Sequence, residues 1–182
     1  KFAKSLKYAL ATALVVLSAP AFAQDAPDYI VPTGDGDTYS IDFDALNSDA
    51  SLTDSEKAIV LSALVKSPNI QTTELIGIGG IDVSCDLHWT SADCTLTISK
   101  STTATLADMS PVPLAVAICA PITAESGEVL EVVCAPALAF IANSTIKPAL
   151  QKCVDQSKDV KLNIKFSLFH PKRDTSASAT CE

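Results

Sequence analysis

Six cysteines, two histidines and a run of aspartates are the residues of this chain with chemistry to offer. The cysteines are Cys85, Cys94, Cys119, Cys134, Cys153 and Cys181; the histidines are His88 and His170. Zinc sites want Cys-x-x-Cys or clustered histidines, and neither pattern occurs. An even cysteine count in an exported chain reads instead as a disulfide framework. If all six pair, no thiol is left to act as a nucleophile or a metal ligand.

The aspartates give no cation loop. Asp35-Gly36-Asp37 and Asp42-Phe43-Asp44 suggest calcium, but an EF-hand needs oxygen ligands at positions 1, 3 and 5 and glycine at 6. Counting from Asp35 puts Tyr39 and Ser40 at positions 5 and 6; counting from Asp42 puts Leu46 at position 5. Leu75-Ile-Gly-Ile-Gly-Gly80 lacks the Lys-Ser/Thr of a phosphate loop; its glycines suit a bulge or a close backbone approach at a strand start. Gly-x-Ser-x-Gly, His-Glu-x-x-His and the Ser-x-x-Lys set are missing. We read no catalytic residue, no cofactor and no metal, and lean against an enzyme.

Export is inferred from the first residues. Lys1, Lys4 and Lys7 precede an apolar run from Tyr8 to Leu17, followed by Ala21-Phe22-Ala23. A basic region, an apolar region and an Ala-x-Ala site make a signal peptide of bacterial type over 1–23, cleaved near Ala23. The expected location is therefore secreted or periplasmic. Residues 24–52 read as an acidic extended leader, and 53–182 as one disulfide-stapled globular domain. The whole chain carries a net charge of −8; losing the three leader lysines takes it to −11. That acidity argues against nucleic acid and anionic lipid as electrostatic partners.

The elements that must hold these cysteines are organised around 110–153. Cys119 and Cys134 each lie seven residues from the Ser126–Gly127 midpoint, so folding the chain there brings them together. Abundant Ala and Leu favour helices for the two arms, with Ser110-Pro111 as a start, although antiparallel strands would also bring the two cysteines together. Pro121, Pro136 and Pro148 should break them, leaving helices near 111–119, 128–142 and 144–156. Thr53-Asp-Ser-Glu56 is a capping box opening a helix at about 54–66, with an apolar stripe of Ala58, Leu61, Leu64 and Val65.

Strands come from period-two alternation at about 81–89, 94–99 and 159–169. A tight hairpin turning at Ser91–Ala92 would leave Cys85 and Cys94 four residues out of step. At ~3.3 Å per residue that is roughly 13 Å, beyond the about 4.4–6.8 Å between Cα atoms in a disulfide. In the wider register Cys85 faces Cys94, and the bond closes over the eight-residue loop Asp86–Asp93. Six cysteines allow 15 pairings; the expected set joins Cys85 to Cys94, Cys119 to Cys134 across the hairpin, and Cys153 to Cys181 as the simplest tie for the tail. Ser99–Asp108 reads as a linker or edge, and the Ser/Ala/Thr tail as unstructured but for its terminal cysteine.

The expected fold is α+β: a small antiparallel sheet packed on a disulfide-clasped helical hairpin (about 111–156), with the extra helix at 54–66. Leu87, His88 and Trp89 would sit on the clamped loop, where a rigid exposed tryptophan is a common binding hot spot; the competing expectation folds Trp89 back into the core. We therefore read an exported, non-enzymatic module that binds a protein or a cell-surface component. A membrane-active, toxin-like or antimicrobial protein using the apolar hairpin 111–150 is the alternative. Membrane contact is disfavoured, because each arm is short of a bilayer span. A small secreted hydrolase is the residual reading.

Overall fold

The computed structural model describes residues 27–34, 37–67, 69–71 and 78–182. The signal-peptide reading of 1–23, and the first residues of the glycine-rich stretch at 75–77, lie outside them.

The fold is α+β. A four-stranded antiparallel sheet runs β4 (Ile81–Leu87), β5 (Ser91–Ile98), β6 (Val160–Ser167) and β7 (Ser176–Cys181), neighbouring in that order. A second sheet holds β1 (Ile30–Pro32), β2 (Tyr39–Ile41) and β3 (Ile70–Gln71), its first pair antiparallel and its second parallel. Helices α1 (Phe43–Ser48) and α2 (Asp54–Val65) separate β2 from β3. Helices α3 (Lys100–Asp108), α4 (Pro111–Ser126), α5 (Glu128–Glu131), α6 (Cys134–Ile141) and α7 (Lys147–Asp155) lie between β5 and β6. A one-turn α8 (Pro171–Asp174) joins β6 to β7.

The large sheet has one dry face. On β5 the buried positions are Ala92, Cys94, Leu96 and Ile98; on β6 they are Val160, Leu162, Ile164 and Phe166. This is the alternation of a sheet with one face packed and one in water. Helix α4 packs on β4, and α7 on β7. Helix α2 closes the far side, packing on α4 and α6. Its capping box is complete: Thr53 Oγ1 accepts from the Glu56 amide at 3.3 Å, and Glu56 Oε2 accepts from the Thr53 amide at 2.7 Å. The buried Ser55 hydroxyl donates to the Pro136 carbonyl at 2.9 Å, tying α2 to α6.

The hairpin is helical and turns at Gly127, whose φ of +70° lies in the glycine-favouring region. The first arm does not stop at Pro121, as its proline suggests, but runs on to Ser126. Pro121 removes one backbone hydrogen bond. Continuing the helix buries Ile122 completely alongside Ile118 and Cys119, which offsets that loss. Ser110 is the N-cap of α4, but its hydroxyl accepts the Asn47 side-chain amide at 2.9 Å instead of capping. The second arm is interrupted at Val132–Val133, and Pro136 falls in the first turn of α6, where its missing N–H costs nothing. A π-helical turn, Ala142–Ile146, precedes α7 and Pro148. Pro148 would crowd the carbonyl four residues back in a regular helix, and a widened turn relieves that crowding.

Three segments are more ordered than composition suggests. Ser99–Asp108 is not a linker: Ser99 caps α3, whose Thr103 and Leu106 are fully buried. The tail forms edge strand β7 in register with β6, Leu162 facing Ala179 and Val160 facing Cys181. Residues 30–48 supply β1, β2 and α1, and bury Ile30, Ile41 and Leu46 in the core. Gly80 has φ +79°, and a Cβ there would sit 2.5 Å from Ser99 Oγ and 2.7 Å from Thr102 Oγ1. The start of β4 therefore lies against the start of α3.

Candidate functional site

Three disulfides join Cys85–Cys94, Cys119–Cys134 and Cys153–Cys181, with Cα separations of 4.1, 5.8 and 5.3 Å. They fit an oxidising compartment. Cys119–Cys134 closes the helical hairpin on either side of its turn. Cys153–Cys181 ties the end of α7 to the edge strand. Cys85–Cys94 crosses two directly paired strands.

That pairing keeps Cys85 opposite Cys94 but corrects the loop. The ladder continues past the cysteines, with Asp86 facing Asp93 and Leu87 facing Ala92. The chain reverses at Trp89–Thr90, where the His88 amide donates to the Ser91 carbonyl at 2.8 Å. Asp86–Asp93 is thus mostly strand with a tight turn, not an eight-residue loop. The turn is hidden in the sequence because Trp89 continues the apolar alternation of β4 without a break.

Trp89 stands at this turn with 91 % of its surface exposed. Leu87 is 48 % exposed. His88 turns to the other face of β4, its Nε2 3.2 Å from Asp93 Oδ2. The three residues share one end of the sheet, but only Trp89 and Leu87 offer apolar surface there. The Leu168 amide donates to the Thr90 carbonyl at 3.0 Å, extending the β5–β6 ladder to the turn. Phe169, two residues beyond the end of β6, is 65 % exposed at the same end of the sheet. Phe169 follows the alternating run of β6, so it reads as a strand terminus in the sequence; the β5–β6 pairing brings that terminus to the end of the sheet where the turn lies.

The outward face of the large sheet is polar and open. Its successive cross-strand rows are Asp82, Thr97, Lys161 and Thr180; then Ser84, Thr95, Asn163 and Ser178; then Asp86, Asp93, Lys165 and Ser176. The Thr95 hydroxyl donates to Asn163 Oδ1 at 2.9 Å. Carboxylates therefore occupy the β4–β5 half, and ammonium groups occupy β6.

No chemistry-bearing cluster competes with this end of the sheet. All six cysteines are bonded, and no group of three or more His, Cys, Asp or Glu could hold a metal among the described residues. Asp42 has a local task, its carboxylate accepting from the Ala45 amide at 3.0 Å to cap α1. No protein-family model, curated protein or solved structure gives a significant match to the chain.

Proposed function

We propose that this is an exported, non-enzymatic binding module that contacts a protein or a cell-surface component through the β4–β5 tip, with Trp89 as anchor and Leu87 and His88 beside it. The observation that carries it is the 91 % exposure of Trp89 on a hairpin clamped by a disulfide four residues away on the β4 side. A large aromatic surface left in water is costly. On a rigid turn it loses little conformational entropy on binding, the property of an interface anchor. The three disulfides and the export-type N-terminal sequence support a secreted or periplasmic setting.

Trp89→Ala should abolish partner capture, read by cross-linking in the periplasm or medium of the native host. Its thermal midpoint should stay where it was, because an exposed truncation shifts stability by about 0.5 kcal/mol or less. Unchanged capture, or a large stability loss, would overturn the assignment.

A membrane-active role has one observation in its favour. The run Val129–Asp155 is long and apolar enough to cross a bilayer, with mean hydropathy 1.8. Against it, 56 % of the apolar 18-residue stretch within that run is buried, and Leu114, Ile118, Ile122 and Leu138 of the hairpin are at 0 % exposure. We expect no dye release from liposomes, with or without reductant. Leakage on reduction would promote the membrane reading.

A further inference from the structure

We infer that the outward face of the large sheet is a self-complementary surface that pairs with a second copy of this chain. This goes beyond the reading of the Trp89 tip and does not rest on it.

The warrant is the charge order across the strands. A two-fold axis running parallel to the strands, between β5 and β6, lays β5 of one copy over β6 of the other. Asp93 and Lys165 are already cross-strand neighbours. The axis would bring the same pair from the second copy over them with signs reversed, giving a ring of four alternating charges. The next row sets Thr95 over Asn163 of the second copy, hydroxyl against amide. A two-fold across the strands would instead stack β4 on β4, Asp86 near its own image, which like-charge repulsion disfavours.

The face limits the strength. Four strands at ~4.8 Å and about seven residues at ~3.3 Å give a flat footprint of roughly 400–450 Å². Standard interfaces cover about 800 Å² per partner. The expected dimer is therefore weak and transient. The overall negative charge adds a repulsion that salt screens, so salt dependence does not isolate the face, whereas charge reversal does.

The test is sedimentation equilibrium of the oxidised chain. The wild type should show a monomer–dimer equilibrium. Asp93→Lys and Lys165→Asp should each weaken it at least tenfold at unchanged thermal midpoint. Mixing the two single variants should give heterodimers tighter than either homodimer, a result that misfolding cannot imitate. The double variant, which exchanges both signs, should recover to within about threefold of wild type. A monomer at several hundred micromolar, or a dimer indifferent to both reversals, overturns the inference. Trp89→Ala should leave the dimer intact, so that failure of this face and failure of the Trp89 tip are told apart.

Discussion

The two faces of the β4–β7 sheet are built from the same strands, and they obey different rules. On β6, Val160, Leu162, Ile164 and Phe166 are at most 1 % exposed beneath the helical layer, while Lys161, Asn163 and Lys165 alternate with them in contact with water. The inner face is held by burial and shape, so its identity is a matter of apolar volume. The outer face contributes little to folding, so the order of its charges is free to serve recognition. A fold this small can therefore keep stability and contact on opposite sides of one layer, one residue apart in sequence.

The sharpest break of that contrast is a neighbouring pair of truncations. Phe166→Ala should cost about 4 kcal/mol in urea unfolding, a large side chain lost from a filled site. Lys165→Ala should change stability by less than about 0.5 kcal/mol. Equal losses would mean that the two faces do not divide the work. Next, replacing Cys153 and Cys181 together by serine opens a loop with a sequence separation of 28. On chain entropy this should cost about 3.5 kcal/mol, with hydrogen exchange rising first in β7 and only later in β5. Smallest is the effect of Tyr29, which lies in the 27–48 segment away from the sheet. Burial, and then the Asp49 carboxylate, raise its hydroxyl pKa above the ordinary value of 10.0. The neutral phenol is thus favoured by folding. That contribution is complete below about pH 10 and lost as pH rises through the raised value. Thermal midpoints should accordingly fall more steeply above pH 10 in wild type than in Tyr29→Phe.

What could be read in advance followed from apolar periodicity and from cysteine separation. The alternation of β6, the Thr53–Glu56 box and the symmetry of Cys119 and Cys134 about Gly127 each state a local geometry in residue types, and each reappears in the fold. The misses share a cause. Ser and Thr in 99–105 suggest a linker because their hydroxyls compete for backbone groups. Here the same hydroxyls bond within the helix, Thr103 Oγ1 donating to the Ser99 carbonyl at 2.9 Å, and Leu106 carries the burial. The alternation Ser176-Ala-Ser-Ala-Thr-Cys181 did carry a strand signal, but Ala contributes too little apolar area to reveal it. Pro121 argued for a break that tertiary packing overrode.

At the site, the tip residues were visible by type and their exposure was not. Trp89 fits the apolar phase of β4, and nothing in that phase says the strand ends at Leu87. Phe169 needed the β5–β6 ladder to reach the same end of the sheet. The charge order of the outer face depends on the strand order β4-β5-β6-β7, which is a property of long-range pairing and not of any one segment.

The three disulfides follow one another along the chain without interleaving: 85 with 94, 119 with 134, 153 with 181. Each loop is closed before the next begins. A chain that emerges N-terminus first and is oxidised as it emerges meets its cysteines in the order of their final partners. Joining each new thiol to the one still waiting yields the native set, with no wrong bond to undo and no call on an isomerase.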